Sequence, residues 1–531
     1  MKQLLFGLVG KVRWGAGSPS ASPARSRREA ACRLAQSGLL LMAMVLTLSA
    51  ARSAPISVAH AHPVLLQMAA SQPEAMVSVI VQKNGATGDV EALVSALGGT
   101  VTKDLHIINA FGAELRAKDV PQLARAEGVR WMSPDAAMRV TGGPDGSVNT
   151  GSLANAYVRA IGADKLWAEG YQGSSVTVAV LDSGVSNIYD LRSSLSNPDE
   201  SASRIRQKVE FSSGSSTNVD DFGHGTHVAG IIGGNGFNSP GQYIGIAPKV
   251  NFVNVKVANS QGSATTSEVI NGIQWINDNR ATSGIKVVNI SMNSNLIESY
   301  SVSALDAAVE ILWFNGIVVV VSAGNTGSSG LYPPANDPFV ITVGAVDDKG
   351  TATTADDSLA SFSSYGPTLD GFSKPDLVAP GRNIVSAMYS SPTTVLAAGH
   401  PANIVTPYYF RMSGTSMAAP MVSGAVALLL QSNPNLNPDQ VKYRLKASAR
   451  PFVQGNGAPY LDAYAAVHGT TNQTANTGIA ASHLLWTGST PLTWGSVNWG
   501  SVNWGSVNWG SVNWGSVNWG SVNWGSDYWG N

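Results

Sequence analysis

The sequence predicts an α/β fold: a doubly wound, mostly parallel sheet with helices on both faces, preceded by a small ferredoxin-like α+β domain. Three observations predict it. Short, near-continuous apolar runs recur through residues 156–470 and suit strands buried on both faces. Helical patterns separate those runs, the alternation expected of a parallel sheet. Residues 76–140 follow a different order, β-α-β-β-α-β, which is the split βαβ arrangement.

In the main block, the predicted strands are Ser175–Leu181, Asn251–Val257, Lys286–Met292, Gly316–Val321 and Phe339–Val346. The predicted helices are His224–Ile232, Ser267–Arg280, Val302–Phe314 and Ser416–Gln431. In the smaller block, Met76–Gln82, Thr100–Ile107, Ala110–Leu115 and Val129–Ser133 read as strands, and Asp89–Leu97 and Val120–Ala126 as helices. Residues 141–155 are rich in Gly, Ser and Asn and read as an exposed linker. Sites in open α/β sheets lie beyond the carboxyl ends of the strands, which directs attention to those ends.

The 531 residues are 44% apolar, ample for a large core, and Lys plus Arg (33) nearly balance Asp plus Glu (34). Such a balance provides no bulk attraction to nucleic acid or to an anionic membrane. The single cysteine, Cys32, excludes an intrachain disulfide framework and any multi-cysteine metal site.

The N-terminal 61 residues read as a secretory signal region. Lys2, Lys11, Arg13, Arg25, Arg27, Arg28 and Arg33 precede an apolar stretch, Gly38–Leu48, and then the small residues Ser49, Ala50, Ala51, Ser53 and Ala54. A membrane anchor is the alternative, but the apolar stretch is short for a span. The chain therefore divides into a signal region (1–61), a small domain (62–145), a large domain (146–470) and a tail (471–531). In the tail Ser-Val-Asn-Trp-Gly repeats, with tryptophan every five residues from Trp494 to Trp529. That period fits neither a strand nor a helical face, and leaves a low-complexity tail and an ordered or adhesive element both open.

Four segments carry chemistry. Asp182 follows a buried strand in Ala179-Val180-Leu181-Asp182-Ser183-Gly184; by itself it is an ordinary strand–turn acid. His224 opens a helix of small residues in Asp221-Phe222-Gly223-His224-Gly225-Thr226-His227. The His-x-x-His spacing with no adjacent acid argues against a metal pair and leaves His227 a structural role. Asn325 sits in a glycine turn, Ser322-Ala323-Gly324-Asn325, where its amide either shapes the turn or donates to a developing oxyanion. Ser416 opens a long apolar helix in Gly414-Thr415-Ser416-Met417-Ala418-Ala419-Pro420; it serves as a helix cap or as a nucleophile at the positive end of the helix dipole.

Together the segments supply nucleophile, base, orienting acid and oxyanion donor in the chain order Asp182, His224, Ser416. That order is the one tabulated for subtilisin. Over residues 76 to about 470 the chain resembles the subtilisin family of serine proteases, through Gly223–Gly230, Gly414–Pro420, Ser322–Asn325 and Lys374–Gly381. The resemblance implies a serine endopeptidase acting on protein or peptide substrates through an acyl-enzyme. It implies that residues 76–140 are an inhibitory propeptide, a partner within the chain that is cut off after folding. The signal-like N-terminus implies secretion, and the repeat tail leaves open a contact to cell surface or matrix. The resemblance places extended peptide beside Ser291, Met292, Asn293 and Ser294, and Leu331 at the floor of the primary pocket. Glycines are usual in the family at positions 293, 294 and 331, so a preference for smaller apolar residues before the cut is expected.

No cofactor is required. Calcium binding at a loop is common in the family, yet the matching stretch, Asn235–Gly245, has no Asp or Glu, and a hard cation prefers several oxygen ligands. An α/β-hydrolase esterase is disfavoured by the chain order and by Gly414-Thr415-Ser416-Met417-Ala418 in place of Gly-x-Ser-x-Gly. A purely adhesive role for the repeat tail leaves the four filled catalytic positions unexplained.

Overall fold

The computed structural model describes residues 60–84, 89–140, 142–143, 155–193, 202–213, 219–390, 393–452 and 457–485. The signal region and the Trp repeats lie outside the described residues, as does most of the 141–155 linker.

The N-terminal domain is a four-stranded antiparallel sheet in the order β2-β3-β1-β4, built from β1 (Met76–Lys83), β2 (Thr100–Leu105), β3 (Ala110–Arg116) and β4 (Val129–Pro134). One face carries helices α1 (Pro63–Ser71), α2 (Asp89–Ala96) and α3 (Val120–Leu123). Side-chain alternation along β1 decides what each face buries. Val77, Val79 and Val81 face the domain's own helices, whereas Ile80 joins the core of the larger domain. The predicted strand through Ile107 stops at Leu105, because His106–Ile108 forms a 3₁₀ turn that ends on left-handed Asn109. The helix expected over 120–126 is one turn shorter, and α1 had not been anticipated.

Beyond β4 the chain does not go straight to a linker. Residues Ala137–Val140 form β5, and Gly142–Gly143 form β6.

The larger domain is built on β7 (Thr177–Asp182), β8 (Ile205–Glu210), β9 (Asn251–Lys256), β11 (Ile285–Ile290), β13 (Val318–Ser322), β14 (Ile341–Asp347), β15 (Ser358–Leu359) and β16 (Leu377–Pro380). They form one eight-stranded sheet, in the order β15-β14-β13-β11-β7-β9-β8 with β16 also on β14, and every pairing but β14–β15 is parallel. β7 and β13 are buried along their whole length, as their unbroken apolar runs required. Helices α4 (His224–Gly233) and α7 (Thr415–Ser432) pack against each other on one face, and α5 (Thr266–Asn279) and α6 (Ala304–Phe314) on the other. Helix α7 is long and apolar enough to cross a membrane, but it is 89% buried within the protein and is the central core helix.

Strand order reverses at β7: β8 and β9 lie to one side, β11, β13 and β14 to the other. The carboxyl end of β7 is thus a switch point, where the two halves of such a sheet diverge and leave a crevice. Short strands complete the rim: β10 (Ser263–Thr265), β12 (Met292–Ser294), β17 (Ile384–Ala387), β18 (Ile404–Thr406) and β19 (Tyr409–Gly414). Residues 471–485, read from sequence as the start of the tail, pack into this domain: Ser482, Leu484 and Leu485 are buried.

Candidate active site

Asp182 is the last residue of β7, and its side chain is fully buried. The His224 imidazole, also fully buried, meets it at 2.7 Å between Nδ1 and Asp182 Oδ1, and the Ser183 N–H donates to the same oxygen at 2.7 Å. A buried carboxylate needs such donors, since leaving it unpaired would be costly. Bonding at Nδ1 leaves His224 Nε2 as the ring nitrogen available for chemistry; it is buried and has no hydrogen-bond partner among the described residues.

His224 is held in place by α4, which it opens. Gly223 caps the helix with φ 104°, a left-handed backbone that favours glycine. At Gly225 a Cβ would come within 2.1 Å of the Gly184 carbonyl oxygen, so only glycine lets the helix start this close to the end of β7. Asp220, not singled out from the sequence, organises the junction. Its Oδ1 accepts from Gly223 N (2.7 Å) and Ser183 Oγ (2.8 Å), and its Oδ2 from Thr226 N (2.7 Å). Burial pushes the Asp220 carboxyl up, while these hydrogen bonds pull it back toward the ionised form. An acid just ahead of a helix start was the available signal.

Ser416 is the second residue of α7. Its hydroxyl donates to the Ser291 carbonyl oxygen at 3.0 Å, and the Ser291 hydroxyl donates back to the Ser416 carbonyl oxygen at 3.2 Å. The second bond has a cause in the sequence. Pro420 lies inside α7, beyond its first turn, and has no N–H for the carbonyl four residues earlier, which is that of Ser416. Asn289 extends the link, donating to Ser291 Oγ at 2.8 Å and accepting from Ser423 Oγ at 2.8 Å. The structure therefore joins Asp182 to His224 and Ser416 to Ser291, with the serine hydroxyl turned to the Ser291 carbonyl.

Asn325 lies in the turn after β13. Its Oδ1 accepts from the Thr415 N–H (2.9 Å) and hydroxyl (3.0 Å), and Thr415 Oγ1 accepts from Gly324 N at 3.0 Å. Committing the oxygen to Thr415 fixes which end of the amide is the donor, so Thr415 is a positioning residue that sequence reasoning passed over.

The segment expected to bind peptide pairs instead with the chain itself. β5 lies between β10 and β12 in a three-stranded antiparallel sheet, with Val140, Arg139 and Met138 opposite Met292, Asn293 and Ser294. The Met138 side chain is fully buried. Gly142 and Gly143 then pair with Gly414 and Ser413, immediately before Ser416. Asn293 reaches across to donate to the Ser322 carbonyl at 3.0 Å, and Leu331 is buried against Gly366.

His227 points away from the crevice, with Nε2 at 2.9 Å from the Phe410 carbonyl oxygen. Burial lowers its pKa to about 3. The loop 235–245, where the resemblance placed calcium, faces Asp190. That carboxylate is taken up by Tyr409 OH on Oδ1 and by Asn238 Nδ2 on Oδ2 at 2.5 Å. With both oxygens engaged and no acid in the loop, this donor set does not fit a hard cation. Among the described residues no group of three His, Cys, Asp or Glu side chains is placed to hold a metal.

A helix N-terminus and a buried, paired imidazole beside a fixed amide suit attack of a serine on a carbonyl. Comparison with known proteins agrees. Residues 173–479 match the subtilase family, and residues 493–531 match pentapeptide repeats in eight copies. The chain is 42% identical to the serine protease AprX of Bacillus subtilis (strain 168) over 281 residues, covering 52% of this chain and 61% of AprX. It is 36% identical to subtilisin DY of Bacillus licheniformis over 314 residues, covering 57% of this chain and 96% of that protein. Fervidolysin from Fervidobacterium pennivorans, described as a keratinolytic enzyme related to subtilisin, shares the fold with a TM-score of 0.58 and 25% identity, over 76% of this chain and 62% of that one. The chain thus spans about three fifths of AprX and of fervidolysin. It belongs to the subtilase family of subtilisin-like serine proteases.

Two outcomes follow from this geometry. Thr415→Val removes the hydroxyl that holds Asn325 Oδ1 and Gly324 N; kcat on a peptide substrate should fall about tenfold with KM unchanged, less than the 10²–10³ expected for losing an oxyanion donor outright. His227 should make the fold acid-sensitive. Its folded pKa lies below the unfolded value, so both states are neutral above pH ~6.5, and stability is lost as pH falls from there toward about 3. In a Ser416→Ala background, the urea midpoint of a His227→Gln variant should vary less with pH across that window than that of the parent.

Proposed function

We propose that the chain is a serine endopeptidase made as a self-inhibited, self-processing precursor, with Ser416 as nucleophile, His224 as general base, Asp182 as the acid that orients it, and Asn325 as oxyanion donor. The observation that carries this reading is β5, a segment of the chain's own N-terminal part paired on both sides in the groove that leads to Ser416.

In the reaction, Ser416 Oγ turns from the Ser291 carbonyl to His224 Nε2, which takes its proton as the oxygen attacks the substrate carbonyl. Asp182 holds the imidazole by Nδ1 and stabilises the imidazolium. The negative charge developing on the carbonyl oxygen meets the Asn325 amide and the N-terminus of α7. His224 then protonates the leaving amine, and water attacks the acyl-enzyme by the same route.

The pairing on either side of the linker's start supports one particular bond as the one cut in maturation. On the near side Val140 pairs with Met292, next to Ser291, whose carbonyl accepts the Ser416 hydroxyl. Gly142 and Gly143 lie on the leaving side against Gly414 and Ser413. The bond between is Thr141–Gly142, at the near end of the 141–155 linker. The N-terminal domain up to Thr141 is then the inhibitory propeptide. Residues 1–61 act as an export signal, on the strength of their basic, apolar and small-residue zones, and the pentapeptide tail is an attachment element for cell surface or matrix.

Asn293 and Leu331, both buried and bulkier than the glycines usual in the family at these positions, support a narrowed primary pocket. The substrate class is therefore protein with a small residue before the cut, in keeping with Thr141 at that place in the precursor.

The wild-type chain should yield a new N-terminus at Gly142, read by Edman sequencing or intact mass, and Ser416→Ala should keep its propeptide. Equal processing of both chains would reject self-cleavage. On peptides that differ only in the residue before the cut, Ala, Ser, Thr and Val should exceed Phe and Tyr in kcat/KM by at least about tenfold; a preference for aromatics would reject the narrowed pocket.

A further inference from the structure

The N-terminal domain touches more than the groove and the helices of the sheet. Gln82, on β1, is buried, and its Nε2 donates both to the Ile108 carbonyl within its own domain (2.9 Å) and to the carbonyl of Leu484 (3.0 Å), 402 residues further along the chain. Arg130, on β4, donates to the carbonyl of the neighbouring residue, His483. Leu484 and Leu485 are buried in the same apolar cluster as Ile80, Leu105, Ile107 and Ile108 of the N-terminal domain. The end of the described chain is thus packed at the interface between the two domains.

The preceding residues are fixed by the larger domain alone. Tyr300 OH donates to the Ala480 carbonyl at 2.9 Å. The Ser482 N–H donates to the buried Glu310 carboxylate at 2.8 Å, and the His483 N–H to the Ser301 carbonyl at 2.8 Å. This divides the segment. Up to the His483 N–H it is anchored on the catalytic domain; from the His483 carbonyl onward its side-chain bonds to the N-terminal domain come from Arg130 and Gln82.

We infer that His483–Leu485 is a second docking surface for the propeptide, supplied by the root of the C-terminal tail. The inference rests on the reading of residues up to Thr141 as a releasable propeptide. Because the coupling is reciprocal, the tail root strengthens propeptide binding by the same factor by which the propeptide holds the tail root. Departure of the propeptide removes Gln82 and Arg130 from the two carbonyls and uncovers Leu484 and Leu485. Maturation then opens the groove and releases the base of the repeat tail in one event.

Hydrogen exchange on the full chain tests this. Three proteins are compared, all carrying Ser416→Ala so that nothing is cut: the full chain, a chain ending at His483, and the full chain with Gln82→Leu. Ending at His483 keeps the Ser482 and His483 anchors, and Gln82→Leu leaves the catalytic domain untouched. Amides of Met76–Lys83 and Val129–Pro134 should exchange about tenfold faster in both altered chains, the factor for losing one or two buried bonds, with Val318–Ser322 unchanged. In the Ser416 background, the self-cleaved propeptide should leave the chain ending at His483 about tenfold faster, with kcat/KM of the freed enzyme unaltered. Equal exchange in the N-terminal strands of all three proteins, or a rise shared equally by Val318–Ser322, would overturn the inference. Absence of any self-cleavage would reject the maturation reading instead, while the exchange comparison still decides this one.

Discussion

The structure turns on one buried contact, the 2.7 Å bond between Asp182 and His224 where the strand order reverses. A carboxylate and an imidazole in a dry interior are tolerated only if each finds a partner. Satisfying Asp182 fixes the first turn of α4 against the end of β7, and Asp220 holds that turn from behind through Gly223, Ser183 and Thr226. Helix α4 in turn packs on α7, which carries Ser416. The location of Ser416, the proposed nucleophile, therefore follows from how one acid is kept out of water.

A second constraint works through a missing hydrogen bond. Pro420 deprives the Ser416 carbonyl of its helical partner, and Ser291 takes up the vacancy while its own carbonyl accepts the Ser416 hydroxyl. This paired contact ties α7 to the turn between β11 and β12, joining the proposed nucleophile to the segment proposed to bind peptide. Thr415 does the same for the oxyanion turn through Asn325 and Gly324. Pre-organised donors of this kind are worth more in a water-excluded crevice than in solution, because no reorganisation is needed when charge develops.

Much of this was legible in the sequence, for identifiable reasons. Val318–Val321 and Thr177–Leu181 are buried on both faces, so their apolar runs announce strands directly. Asp182, His224, Asn325 and Ser416 could be placed because each sits at a strand end or helix start that local patterning marks. What escaped depends on partners far along the chain. β5 reads as an unremarkable end to the N-terminal domain, and only the fold reveals its pairing with Met292–Ser294. Gly142 and Gly143 carry a linker's composition, yet they pair with Gly414 and Ser413, close to Ser416. Ala480–Leu485 looked like the opening of a tail, because nothing in its composition reports that Glu310, Ser301 and Gln82 lie opposite. The boundary placed at 470 was short for that reason.

The central claim is that Ser416 becomes a nucleophile through His224. Labelling of the purified mature protein with a fluorophosphonate, followed by peptide mass mapping, tests it most directly. The account predicts one adduct, on Ser416, lost on denaturation before labelling and reduced at least a hundredfold in rate by His224→Ala. Labelling at a different residue, or an undiminished rate without His224, would contradict it.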